Sequence, residues 1–426
     1  MSFNKLKIRL NQGGAVKDVA ILTLGTALAQ FITIAASPVL SRLYTPAEFG
    51  VMAVFMAVVA IVATFVTLRY EVNILIPKIN WEAQQIVFLS LALSLCLGLV
   101  VSVSAWILPD TMRDLLGIGV LKVWLQWACF IGLVTALTTI AFGWLNRGQL
   151  YKKMATLRIL QSLLIAGIAI LFGVLGLKDG LLVAQIGTAL IIVLLIGQYL
   201  PRPKRIDLKS ISSVAYKFRD APKYMLPTAL LDVVTLQLPV ILIGAWYGSS
   251  EAGQFILAWR VLVLPSSLVG VAIGQVFFQR FSAAWPNAHD AWALLIKTWK
   301  ILALVGLLPM IILMLFGENL FSFVFGPNWA KSGEMAAILA PMLFASLLHS
   351  PTSTTSIVLG VQRHVFLLAI AVMIYRPLAL FIGWKLGNIN IGLAIYCALE
   401  IAQILVFQYL INKKIKSGMS SQGENI

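Results

Sequence analysis

Four ionisable side chains stand inside long apolar runs of this chain: Asp232, Arg260, Arg376 and Glu400. A charge held at mid-membrane depth is costly unless it is paired or hydrated, so each is a candidate for ion coupling, anion binding or a structural ion pair. Arg376 and Glu400 both lie twelve positions from Asn388, in the turn Gly387-Asn388, so an antiparallel hairpin brings them to one depth. A structural ion pair and a role in a cavity are the two readings of that juxtaposition. Asp232 has no such mirror partner. Measured from the turn at Gly248-Ser249, it and Arg260 differ by roughly 7 Å of depth at the rise of an α-helix. Flanked by Pro227 and Pro239, each of which removes a helix hydrogen bond, Asp232 is a candidate proton or sodium site. The alternative is a carboxylate satisfied by Thr228, Thr235 or Gln237 in a packed interface.

Arg260 shares a helical face with Ser267 and Gly274, while Ser266, Gly270 and Gly274 make an adjoining stripe of small residues suited to close helix contact. That arrangement turns the guanidinium toward the bundle interior. There it can grip a phosphate through two parallel hydrogen bonds, or meet a structural partner such as Asp232. Arg42 lies beside a polar stretch and reads as a headgroup anchor or a substrate contact. A helix entering at Glu48 has risen about 30 Å by residue 69, so Arg69 and Glu71 are expected at the inner membrane face. Cys96, Cys129 and Cys397 fall at unrelated spacings within apolar runs and suggest neither disulfides nor a metal site. His349 and His364 read as interface or structural residues.

The elements that must position these groups are membrane helices. Of 426 residues, 60% are hydrophobic and 11% charged, and the mean hydropathy is +0.94, which excludes a soluble domain of this size. A hydrocarbon core of roughly 30 Å needs about 20 apolar residues per helix, and the chain divides into twelve such runs. They are far longer than the strands of a membrane barrel. The spans read Val19–Leu40, Val51–Leu68, Ala83–Leu108, Val120–Leu145, Thr156–Leu177 and Leu181–Leu200, then Tyr224–Trp246, Ala252–Phe278, Ala293–Phe316, Met335–Leu359, Val365–Leu386 and Ile391–Ile411. This gives an N-terminal six-helix lobe over 1–200, a basic linker over 201–223, a C-terminal lobe over 224–412 and a tail over 413–426. The first run is too long for a signal peptide and has a counterpart later in the chain.

Basic residues crowd the N-terminus, the even-numbered loops, the linker and the C-terminus. Only Arg42, Arg113, Lys122, Lys178, Lys331 and Lys385 fall on the opposite side. Both termini are therefore expected to be cytoplasmic. The net charge of +16 follows from this bias and from contact with the anionic bilayer surface, and implies no nucleic-acid partner. Trp106, Trp124, Trp127, Trp144, Trp246 and Trp384 stand near span ends, as interface belts require.

An internal repeat sets Tyr44-Thr45-Pro46-Ala47-Glu48-Phe49-Gly50 against Tyr247-Gly248-Ser249-Ser250-Glu251-Ala252-Gly253, with Tyr, Glu and Gly matched, each in the turn between the first and second span of a half. Two parallel six-helix lobes around a central cavity, rocking to open on either side, are the expected architecture. Pro265, Pro309, Pro341, Pro351 and Pro377 join the two prolines of helix 7, whereas the first half has only Pro38 within a span, so the second half is expected to be the more deformable. No Gly-rich phosphate loop is present, and the short outward loops disfavour a membrane polymerase or glycosyltransferase.

The strings Thr23-Leu24-Gly25-Thr26-Ala27-Leu28-Ala29-Gln30, Ser41 to Gly50 and Leu68-Arg69-Tyr70-Glu71 resemble the N-terminal signature of Wzx-type polysaccharide flippases of the multidrug/oligosaccharidyl-lipid/polysaccharide (MOP) exporter superfamily. The resemblance implies an all-α, MATE-like fold of twelve transmembrane helices and no enzyme activity. It further implies translocation of an undecaprenyl-diphosphate-linked oligosaccharide across the bacterial inner membrane, driven by a proton or sodium gradient rather than a bound cofactor. Arg260, Arg42, Arg69 and Arg376 are then substrate-binding candidates, and Asp232 and Glu400 coupling candidates. The bilayer and other glycan-assembly membrane proteins are the implied partners. A cation-coupled drug antiporter of the same superfamily is the alternative, expected to have a cavity dominated by acids and aromatics. A non-transporting scaffold would not need unpaired charge at mid-depth.

Overall fold

Deprived of water, backbone N–H and C=O groups in a bilayer must be satisfied within the chain, and long apolar runs meet that demand as helices. The computed structural model describes the backbone of residues 3–121, 123–201, 208–285 and 287–423, and side chains over the same ranges except 3–19, 115, 208, 264–272, 275 and 418–423. Among these residues there is no strand. The helices are α1 (Phe3–Leu43), α2 (Pro46–Val66), α3 (Asn80–Ile107), α4 (Asp110–Leu115), α5 (Trp124–Arg147), α6 (Tyr151–Val174), α7 (Gly180–Gly197), α8 (Leu208–Lys217), α9 (Leu226–Tyr247), α10 (Ser249–Ala284), α11 (Ala288–Phe325), α12 (Ala330–Thr352), α13 (Thr355–Val358), α14 (Gln362–Lys385) and α15 (Ile389–Gly423). Eleven helices of the described residues are long and apolar enough to cross a membrane. The 36-residue α10, on which the eighth expected span falls, has the side chains of its middle outside the described set.

Two compact units divide the chain, Met1–Ala245 and Trp246–Ile426. In the first, α1 pairs with α6, and α5 packs against both α2 and α3. Ala141 and Leu145 of α5, Met154 and Leu157 of α6, and Ile192 and Ile196 of α7 form one buried cluster. In the second, α12 packs against α10, α11 and α15. Gly317 of α11 and Gly333 of α12 meet backbone to backbone, where a Cβ on either would strike the other; such small residues let membrane helices approach closely.

The repeat has a structural counterpart in each unit. The Tyr44 hydroxyl donates to the carbonyl of Ala169 in α6 (2.7 Å), and the Tyr247 hydroxyl to that of Leu380 in α14 (2.9 Å). Each acceptor lies five residues before the end of a 24-residue helix. Beyond those ends, Gly176 and Gly387 both turn the chain with φ of +67°, a conformation that costs glycine little.

Several local expectations are corrected. Pro46 to Gly50 is the first turn of α2 rather than part of the preceding turn. Thr45 is its N-cap, its hydroxyl accepting from Glu48 N while the Glu48 carboxylate accepts from Thr45 N, with proline in the first turn. The tenth span breaks after Thr352, where the hydroxyls of Thr352, Ser353, Thr355 and Ser356 bond back to carbonyls three residues earlier and compete with the helix ladder. The linker carries a helix of its own. Ile211, Val214, Ala215 and Phe218 recur at helical spacing on and just past α8, and pack on Tyr70, Ile74 and Ile86 of the first unit. Tyr70 donates to Ala215 O (3.2 Å), and Lys217 pairs with Glu82 of α3. At the other end, α15 continues through Gly423, across the stretch read as a tail.

Candidate functional site

In the second unit, the turn at Gly387 returns α15 along α14, and Arg376 and Glu400 meet through Nε and Oε1. Their side chains are 15% and 8% exposed. The guanidinium also lies over the ring of Tyr396, 5.6 Å from its centroid. Gly383 and Gly392 allow the two helices to touch near the turn, where the Tyr247 hydroxyl inserts beside them. A charge pair removed from water is strongly destabilised when one partner is lost, because the other is left uncompensated.

The first unit holds a second buried polar cluster. After α2 ends, Leu68 and Arg69 take left-handed conformations, with φ of 48° and 60°; outside glycine, this costs on the order of 1–3 kcal/mol and needs support from the surroundings. The support is visible. Arg69 N donates to the Thr67 hydroxyl (3.3 Å), and Arg69 Nη1 pairs with Glu71 Oε1 at 3.3 Å. A 3₁₀ turn, Tyr70–Leu75, then carries Glu71 and Asn73 inward. Arg147 of α5 clamps the same turn, donating to Ile74 O (3.0 Å) and to Asn80 Oδ1. Ser94 of α3 donates to Val66 O (3.3 Å).

This cluster is incompletely satisfied. Arg69 Nε, Glu71 Oε2, Asn73 Nδ2, Gln85 Oε1 and Ser90 Oγ are buried and find no hydrogen-bond partner among the described residues. Desolvation raises the Glu71 carboxyl above the usual carboxylate range, against the opposing effects of its own backbone N–H, Arg69 and Thr67. Asn73, Gln85 and Ser90 are neutral, so a search for charge in apolar runs passes over them. The legible signal is polar residues recurring on α3, with Ser90 and Ser94 one helical turn apart on one face.

A model of the polysaccharide biosynthesis protein family matches residues 39–334. The chain belongs to that family. It is 24% identical over 331 residues to the succinoglycan biosynthesis transport protein of Rhizobium meliloti (strain 1021), covering 74% of this chain and 63% of that one. To the lipopolysaccharide biosynthesis protein WzxC of Escherichia coli (strain K12) it is 23% identical over 342 residues, covering 77% and 65%. The chain thus spans less than two thirds of the length of these curated relatives. Its fold resembles that of the lipid II flippase MurJ in an inward closed conformation, with a TM-score of 0.73 at 12% identity over 95% of this chain and 90% of the other. An inward-facing MATE family transporter of the MOP superfamily gives 0.62 at 18% identity, over 94% and 99%. The chain shares the fold of these two membrane proteins.

The stretch matched to the family takes in Arg42, Arg69, Asp232 and Arg260 and ends before Arg376 and Glu400. Arg42 is exposed in the last turn of α1. Asp232 is exposed on α9 of the first unit rather than packed in an interface, and Thr228 and Thr235 give their hydroxyl hydrogens to the carbonyls of Tyr224 and Leu231. Arg260 is partly buried on α10 of the second unit and forms no ion pair among the described residues. Its expected neighbours Ser266, Ser267 and Gly270 lie outside the described side chains. His349 stacks edge-on against Phe407, with ring centroids 4.6 Å apart, and lines a cavity of about 270 Å³ with Thr354 and Gln403; His364 is exposed.

Two outcomes follow from these clusters. Arg376→Ala and Glu400→Ala should each cost about 3–5 kcal/mol, and the double variant less than the sum by about 0.5–3 kcal/mol, measured by unfolding in detergent; additive losses would show that the pair contributes nothing as a pair. Because the Glu71 carboxyl is raised in the folded protein, protonation favours the fold, and its contribution grows as pH falls from neutral toward the ordinary value of 4.5. Glu71→Gln should therefore narrow the stability difference between about pH 5 and about pH 7.5, and an unchanged difference would show that Glu71 does not titrate in this range.

Proposed function

We propose that this protein is a flippase that moves an undecaprenyl-diphosphate-linked oligosaccharide from the cytoplasmic to the periplasmic leaflet of a bacterial inner membrane, by alternating access, for surface-polysaccharide assembly. The observation that carries this reading is the family match over residues 39–334. The names of the curated relatives and the fold shared with a lipid II flippase support it. Both termini are cytoplasmic in this reading, as the distribution of basic residues supports. The protein acts as a transporter, with no catalytic residues.

The diphosphate is the part of such a substrate that the hydrocarbon rejects most strongly, so a cation must meet it. The available arginines differ in what already engages them. Arg376 is bound to Glu400 through Nε, and Arg69 to Glu71 through Nη1 with its Nε left without a partner among the described residues; in both, a carboxylate already competes for the charge. Arg260 has no such commitment among the described residues and is partly desolvated, which strengthens a charge-assisted, bidentate grip. It is the principal phosphate ligand, with Arg42 as an exposed secondary contact. Asp232 is accessible and has no cation paired with it among the described residues, and it is the stronger candidate for the coupling ion. Glu400 is held in its ion pair and is the weaker coupling candidate.

In a strain lacking the chromosomal copy, Arg260→Ala should lower surface-glycan export by at least about tenfold with normal expression, as the loss of a hydrogen-bonded charge implies, while Arg260→Lys retains part of it. Wild-type export by the alanine variant would refute the phosphate grip. In energised vesicles, Asp232→Asn should abolish the dependence of transport on the ion gradient, and unchanged gradient-driven transport would remove Asp232 from the coupling site.

A further inference from the structure

An apolar groove of about 620 Å³ runs between α11, α12 and α15 of the second unit. Its volume falls within the range of small-molecule sites, and its shape narrows the choice of occupant. Trp299 and Met310 on α11, and Asn412 and Ile401 on α15, line it at equal separations along two helices that run in opposite directions. That separation is about 16 Å at the rise of an α-helix, or about half of a hydrocarbon core of roughly 30 Å. The groove is therefore one leaflet deep. A polyprenyl chain is much longer than this, whereas one acyl chain of a bilayer phospholipid fits.

The two ends differ in chemistry. Met310, Pro341 and Ile401 close the deep end with hydrocarbon. At the other end Gln408 and Asn412 line the groove, and Gln408 Oε1 and Asn412 Oδ1 are buried acceptors without a hydrogen-bond partner among the described residues. Trp299 is tied there by its indole N–H, which donates to Thr352 Oγ1 at 3.4 Å. Exposed lysines lie at the level of this end: Lys300 follows Trp299 on α11, and Lys413 follows Asn412 on α15. Buried acceptors call for a donor-bearing headgroup, and the lysines call for an anion. An ammonium headgroup would meet the first demand but bring its positive charge toward the lysines.

We propose that this groove is a binding site for one anionic glycerophospholipid with a hydroxylated headgroup. One acyl chain lies along the groove, the phosphate sits between Lys300 and Lys413, and the headgroup hydroxyls donate to Gln408 and Asn412. The proposal does not depend on the flippase reading.

The test uses the full chain in phosphatidylethanolamine nanodiscs doped with phosphatidylglycerol carrying brominated acyl chains, which quench nearby tryptophan. Trp299→Phe isolates the Trp299 contribution without altering the rest of the groove. That contribution should be quenched at a mole fraction at least about fivefold lower than with brominated phosphatidylethanolamine, the worth of one lysine near an anionic surface. Lys300→Gln with Lys413→Gln should erase the preference, and Ala345→Phe, which fills the groove from α12, should remove the saturable component. Equal quenching by the two brominated lipids, or quenching that rises in proportion to bulk lipid, would overturn the proposal. Displacement by stoichiometric polyprenyl phosphate would also overturn it, by making the groove a carrier-lipid site.

Discussion

A polar atom held away from water must find its partner inside the chain, and the arrangement of both units depends on how this is met. Tyr44 and Tyr247 show it most directly. Each phenol leaves the start of a hairpin and reaches a carbonyl near the end of a 24-residue helix. The glycines around each hydroxyl leave room for that insertion, since a Cβ at Gly180 or Gly383 would compete with the phenol for space. Loss of one such hydroxyl costs only about 1 kcal/mol net, so its larger consequence is geometric. It ties the turn residue to the end of a helix in its own unit, and does so in the same way in each unit.

The same constraint separates the two buried charge clusters. Arg376 and Glu400 pair directly, and the guanidinium face is covered by Tyr396, whose own hydroxyl is buried without a hydrogen-bond partner among the described residues. The Arg69–Glu71 pair is longer, one third of the arginine side chain is exposed, and five buried polar atoms nearby lack partners among the described residues. A completed pair favours rigidity, and an incomplete one leaves groups able to exchange partners. Strain at Leu68 and Arg69 adds to this contrast, because a left-handed arginine persists only where its surroundings hold it. Under the proposed function, Glu400 is the weaker coupling candidate because it is held in its ion pair, and protonation of Glu71 in the first unit's cluster favours the fold.

Much of this was legible from residue spacing, and the failures have physical causes. The Arg376–Glu400 contact follows from counting outward from Gly387-Asn388, because two straight helices of equal rise leave little freedom. The capping box at Thr45 and Glu48 was equally available in the sequence, but a repeat aligned as one block hides where the turn ends and the helix begins. α8 is obscured by the charge around it, although Ile211, Val214, Ala215 and Phe218 carry a helical period. Asn73, Gln85 and Ser90 escape any reading based on charge. The exposure of Asp232 depends on which residues the folded chain brings to α9, and spacing along one helix does not specify that.

The engagement of the arginines narrows the chemistry further. Arg147 and Arg376 are held by partners within their own unit, Arg147 by a backbone carbonyl and an asparagine that fix the 3₁₀ turn, whereas Arg69 engages Glu71 through Nη1 and leaves Nε without a partner among the described residues. A guanidinium with its donors occupied can bind a phosphate only at the cost of those bonds, whereas one held in partial desolvation without them gains the full interaction. Arg260 meets that description among the described residues. Lysine at this position would keep the charge but lose the planar fork that matches two phosphate oxygens at once. Under the proposed function, discrimination at a diphosphate site rests on the shape of the Arg260 side chain as well as on its charge, a distinction that the overall charge of +16 does not reveal.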